Sequence, residues 1–218
     1  PGTDEGECGQ RGGDSSAGGG VAILTVHGAT TLNGAILARA PLGTFQGSGG
    51  SVFLTTGTLT GNGTIDAGVV AGSSAAGGGG RISVILTNGN DFGGIEMSAS
   101  SVSTYYGQGS PGTIYTQTKD QGSGCGTLVI DAGSVAPAAV SPTLINSNVT
   151  DTAVGAVIIT NRAVFRLDSY QSLTVNGGWT NAATFIAGTN STVTLAGATA
   201  ATVAGTNTFW NLAITNAG

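Results

Sequence analysis

In the C-terminal half of the chain four apolar triplets, Val157-Ile158-Ile159, Leu173-Thr174-Val175, Val193-Thr194-Leu195 and Leu212-Ala213-Ile214, recur at intervals of roughly 16 to 20 residues. That interval is the scale of one coil of a solenoid, in which a short unit buries its apolar side only by packing on copies of itself. Each triplet is soon followed by Asn or Gly. These are the residues that tolerate the left-handed backbone conformations of sharp corners.

The N-terminal half repeats more loosely. Glycine leads into an apolar strand at Gly50-Ser51-Val52, Gly80-Arg81-Ile82, Gly112-Thr113-Ile114 and Gly126-Thr127-Leu128. Ten short runs rich in Val, Ile, Thr and aromatics read as strands: 21–26, 51–56, 81–87, 112–118, 127–130, 156–160, 163–167, 172–175, 192–195 and 211–215. No segment keeps apolar residues at helical spacing for long, and glycine, 40 of 218 residues, interrupts every stretch. The chain reads as all-β: a stack of coils with strands parallel from one coil to the next, about 4.8 Å apart. Residues 21–218 are expected to form a single β-solenoid, looser to about residue 150 and more regular over 151–218. Residues 1–20, with "TDEGECGQRGGDSS", form a charged arm or cap. Gly-rich inserts such as "AGSSAAGGGG" (71–80) fit either flexible loops or closely packed backbone.

The combination "GSGGSVFLTTGTLTGNGTIDAG", "GGGGRISVIL", "GSPGTIYTQT" and "GTLVIDAG", followed by "LTVNGGWTNAATFIAG" and "TNTFWNLAITNAG", resembles the Gly-rich repeats of large bacterial secreted and cell-surface proteins, including adhesin-like ones. The likeness covers most of residues 43–218 and lies in pattern, with no catalytic signature. It implies a right-handed parallel β-helix at the cell surface or outside the cell, in a structural or adhesive role.

Charge narrows the partners. A net charge of −5, with 8 % charged residues, argues against direct binding to nucleic acid, which favours clustered Lys and Arg. No apolar run is long enough to span a bilayer as a helix, so no membrane insertion is expected. The chain starts at Pro1, as expected of a processed product or a fragment. Cys8 and Cys125, the two cysteines, are the candidate disulfide in an oxidising compartment and two thiols in a reducing one.

Chemistry is sparse. His27 is the single histidine, no zinc-type spacing exists, and no G-x-S-x-G or Walker loop occurs. No cofactor is expected. Calcium is the one metal with candidate oxygen ligands, in "NGNDFGG" (88–94) and in Asp4, Glu5, Glu7 and Asp14, but neither set follows a calcium-loop spacing. Polysaccharide cleavage would need two carboxyl groups facing across a groove, or a base beside an acidified sugar carbon. The acids beyond the arm are isolated, so no enzyme is expected. Asp66 and Asp131 each precede Ala-Gly at a strand end, where Asp accepts backbone hydrogen bonds in a turn.

The expected function is that of an extracellular structural protein, a subunit of a surface structure or self-assembling filament. Its partners would be other copies of itself stacked head to tail. The reason lies in "TFWNLAITNAG": an edge around Phe209, Trp210, Leu212 and Ile214 with no evident cap leaves N–H and C=O groups that another chain can extend. The alternative is a carbohydrate- or surface-binding adhesin module, with Tyr105, Tyr106, Tyr115 or Tyr170 stacking on glycans. Adjacent Phe209 and Trp210 must point opposite ways in an extended strand.

Overall fold

The computed structural model describes residues 17–43, 46–70, 77–101, 109–133, 140–198 and 201–215. Cys8 and the arm over residues 1–16 lie outside the described residues, as do Tyr105 and Tyr106. Among the described residues there is no helix; the fold is all-β, with strands that pair almost throughout in parallel.

The chain winds in two stacks. In the first, long strands alternate with short ones: β1 (Val21–Thr31), β2 (Ala35–Leu37), β3 (Ser51–Thr60), β4 (Thr64–Asp66), β5 (Arg81–Leu86), β6 (Glu96–Ser98) and β7 (Thr113–Gln117). The long strands pair side by side in the order β1-β3-β5-β7 and the short ones as β2-β4-β6. In the second stack each winding visits three sheets: β8 (Thr127–Asp131), β9 (Thr143–Ile145) and β10 (Ala153–Val154); then β11 (Ala156–Thr160), β12 (Val164–Leu167) and β13 (Ser172–Val175); then β14 (Trp179–Asn181), β15 (Thr184–Ala187) and β16 (Thr192–Leu195); and last β17 (Val203–Gly205) and β18 (Asn211–Ile214). The sheets run β8-β11-β14-β17, β9-β12-β15 and β10-β13-β16-β18.

Alternating patterns explain which side of each strand turns inward. On β3 the side chains of Val52, Leu54, Thr56 and Leu59 are buried and on β5 those of Ile82, Val84 and Leu86, while Phe53, Thr55, Arg81, Ser83 and Ile85, which alternate with them, are less buried. The register stacks like on like, so that Leu24, Leu54 and Val84 form one column and Ile36, Ile65 and Met97 another. Such columns bury apolar area against the windings above and below, which is the main favourable term in a chain with few charges. A second core, around Leu167, Leu173, Val193 and the aromatic cluster Phe165, Trp179, Phe185 and Phe209, fills the later stack. The buried Trp179 donates from Nε1 to Asn207 Oδ1 at 2.7 Å, so its polar edge is satisfied.

The join between the stacks departs from the uniformly parallel pile that the repeats imply. β7 and β8 pair antiparallel, with Ile114 opposite Val129, Tyr115 opposite Leu128 and Thr116 opposite Thr127. Ile114 and Val129 pack with the first core, whereas Leu128 and Ile130 pack with the second. The two cores therefore lie on opposite faces of one continuous eight-stranded sheet. The physical reason is local. The segment 118–126 folds back through turns in which Gln121 N donates to Thr118 O and Cys125 N to Gly122 O, and Gly124 takes a positive φ of 73°. A short return permits only antiparallel pairing.

Glycine closes each winding of the first stack. Gly50, Gly80 and Gly112 donate their N–H to Ala38, Ala67 and Ala99 O, each at 2.8 Å, drawing the end of a short strand onto the start of the next long one. A Cβ on Gly80 would sit 1.9 Å from Gly50 O, and one on Gly112 1.8 Å from Gly80 O. Within the insert over residues 71–80 the glycines at 77, 79 and 80 thus belong to packed backbone; residues 71–76 lie outside the described residues.

Candidate assembly edges and an inter-stack cleft

Asp66 and Asp131 do not meet. Each folds onto its own turn: Asp66 Oδ1 accepts from Gly68 N at 2.8 Å, and Asp131 Oδ1 accepts from Gly133 N at 2.7 Å. Their remaining partners differ, Arg39 at 3.5 Å for Asp66 and Asn161 Nδ2 at 2.8 Å for Asp131. Asp91 makes the same turn onto Gly93 N. These carboxylates shape corners, and no pair of them faces across a groove. Among the described residues no group of His, Cys, Asp and Glu is placed to hold a metal ion, and no helix is long and apolar enough to cross a membrane. The Cys125 Sγ is half-buried, 3.7 Å from Asn176 Nδ2.

At the edges of the stacks apolar side chains in inward-facing positions meet solvent. In the sheet that ends at β18, Leu173, Val193 and Leu212 share one column and Val175, Leu195 and Ile214 another. Exposure along the first runs 1 %, 1 % and 44 %, and along the second 0 %, 2 % and 67 %. Leu212 and Ile214 hold the same inward-facing positions as their buried neighbours, and among the described residues no strand pairs beyond β18. Phe209 turns inward, 5.5 Å from Trp179 and 5.7 Å from Phe185 between ring centroids. Trp210 points the other way and is exposed, its Nε1 donating to Asn190 Oδ1 at 3.1 Å. The opposite edge is β1, which among the described residues pairs only with β3, and there Leu24 is 39 % exposed although Leu54 beside it is fully buried. Its eleven residues contain no Asp, Glu, Lys, Arg or Pro, the usual protections of a free edge.

Between the stacks lies a cleft of about 850 Å³. The change of core at β7 and β8 creates it, because the open start of the second stack stands beside the outer wall of the first. One wall carries the outward residues of β3, β5 and β7; the floor reaches Ile145, Val154 and Phe165 of the second core. Tyr115 stands at the join. Its hydroxyl donates to Gln117 Oε1 at 2.7 Å and accepts from Gly126 N at 2.8 Å. Burial pushes this phenol above its ordinary pKa; the Gly126 N–H opposes that, and the charges of Cys125 and Asp151 add to it. The sequence places Tyr115 in a strand, but its position in a cleft depends on the antiparallel join, which no local motif signals.

Comparison of the chain with protein-family profiles, characterised proteins and solved structures returns no match.

Proposed function

We propose that the chain is an extracellular structural protein whose two stacks are right-handed parallel β-helices and whose open edges are extended, end to end, by further copies of itself. The observation that carries this reading is the change in exposure along one column, from Val193 at 1 % to Leu212 at 44 %, on β18, the last strand of its sheet among the described residues. Another strand laid on β18 would bury Leu212 and Ile214 and pair N–H and C=O groups in one step. The right hand follows from the strong general preference for right-handed crossovers between parallel strands of one sheet.

The opposed directions of the two stacks set how successive copies are related. β1, β3, β5 and β7 run one way and β8, β11, β14 and β17 the other. A half-turn about the stacking axis between successive copies brings β17 of one onto β1 of the next in parallel, with both cores on one face, so that the next copy also lies over β18. Repetition of one such contact does not close and makes an open filament. The extracellular setting rests on the resemblance to Gly-rich surface repeats, and no catalytic step is assigned to the chain.

Sedimentation velocity over a wide concentration range tests the reading. The expected result is concentration-dependent growth into elongated particles, abolished in a Leu212→Lys/Ile214→Lys variant that still melts cooperatively. A chain that stays monomeric at every concentration, or a charged variant that assembles as well as the parent, contradicts it.

A further inference from the structure

The cleft wall combines three kinds of side chain in a fixed register. Phe53, Ser83 and Tyr115 stand opposite one another on adjacent strands and form one row on the outer face of the first stack. Two interstrand spacings, about 9.6 Å, separate the backbones that carry the two aromatic side chains, with the small Ser83 between them. Arg81 lies two residues before Ser83, on the same face and about 6.6 Å along the strand. All four line the cleft, as do Gln117, hydrogen-bonded to Tyr115, and Asp151.

Arg81 is the uncommitted charge here. Arg39 and Arg166 are each paired with an aspartate, at 3.5 Å and 2.8 Å, whereas Arg81 is exposed and has no ion-pair partner among the described residues. The Asp151 carboxylate is turned to the backbone, 3.4 Å from Ala153 N. Tyr115 is held by its two hydrogen bonds, so its ring needs no reordering on contact with a ligand. The cleft volume lies within the ~300–1,000 Å³ of small-ligand sites. Aromatic faces suit the C–H face of a sugar ring, amide and hydroxyl groups suit its hydroxyls, and a guanidinium fork suits a carboxylate.

We propose that this cleft binds a saccharide bearing a carboxylate, a uronic acid unit, with its ring over Ser83 between Phe53 and Tyr115 and its carboxylate on Arg81. The site does not depend on assembly at the stack edges.

Isothermal titration of the full chain with oligogalacturonate and with a neutral galacto-oligosaccharide of the same length tests it. The acidic probe binds saturably and loses affinity as salt is raised; the neutral one binds at least about tenfold more weakly. Arg81→Gln weakens the acidic probe by about tenfold or more and leaves the neutral one unchanged, while Phe53→Ala weakens both. Both side chains are exposed, and unchanged melting curves verify that the variants fold. The Leu212→Lys/Ile214→Lys variant binds as the parent does, which separates this site from the assembly reading. Absence of saturable binding by the acidic probe, equal affinity for the neutral one, or indifference to Arg81→Gln overturns the proposal.

Discussion

Tyr115 and Leu128 stand opposite each other across the antiparallel join of β7 and β8, on the same face of one sheet, yet Leu128 packs with the second core while Tyr115 lies on the outer wall of the first. Their neighbours Ile114 and Val129 show the converse, sharing the first core. One pair of strands thus marks where inside becomes outside. The cleft derives from that exchange.

Columns that stack like on like predict costs that depend on position within the column. Leu54→Ala, at a fully buried place, should destabilise by about 2–5 kcal/mol, since it removes contacts and leaves a cavity. Leu24→Ala, one strand out in the same column, should cost about 1 kcal/mol in the isolated chain. Urea unfolding of both variants measures the difference; equal costs would argue against this register.

The closing glycines make a steric prediction. A Cβ at position 80 meets Gly50 O at 1.9 Å and Ala67 O at 2.4 Å, both backbone atoms that cannot swing aside. Gly80→Ala should therefore cost about 1–3 kcal/mol or more. At Gly20 an added Cβ meets nothing within 4 Å, so Gly20→Ala should be close to neutral. Thermal melting of the pair reads the contrast.

Burial of the Tyr115 hydroxyl sets an alkaline limit. Its folded pKa is raised, so the folded state holds the proton more tightly than the unfolded chain does. The contribution is whole below the unfolded value of about 10 and is lost as pH rises from there through the folded value. Tyr115→Phe should flatten that part of the pH profile while lowering stability near neutral pH through loss of the bonds to Gln117 and Gly126. Denaturant titrations between neutral and strongly alkaline pH provide the measurement.

Asn207 holds the aromatic cluster in place. Its Oδ1 accepts from Trp179 Nε1 at 2.7 Å and from Asn181 Nδ2 at 3.1 Å. Asn207→Ala strands the indole N–H in the core and should cost about 1–3 kcal/mol. Equilibrium unfolding followed by tryptophan emission shows whether that cost is present.

Much of the strand pattern was legible in the sequence, for a physical reason. All ten β-rich runs read from composition, among them those of β1, β3, β5, β11 and β18, contain strands, because Val, Ile, Leu, Phe and Thr dominate each of them. The strands that escaped notice are two to four residues long, such as β2, β10, β14 and β17; Asn, Gly or Trp in a stretch of that size gives no period to read. The triplet spacing also mixed two columns. Leu173, Val193 and Leu212 are members of one sheet, but Val157 belongs to the eight-stranded sheet and pairs with Leu128 and Trp179. Phe209 and Trp210 do point opposite ways, as extended neighbours must. The antiparallel join and its cleft were invisible, because they follow from how the segment 118–126 turns and from no feature of β7 or β8 alone.

Diffraction from oriented, concentrated protein tests the central claim most directly, since windings stacked along a common axis and joined edge to edge place every strand across that axis. The predicted result is a reflection near 4.8 Å along the long axis of the fibre. Dispersed single chains at high concentration, or a spacing near 4.8 Å at right angles to the fibre, would contradict the account.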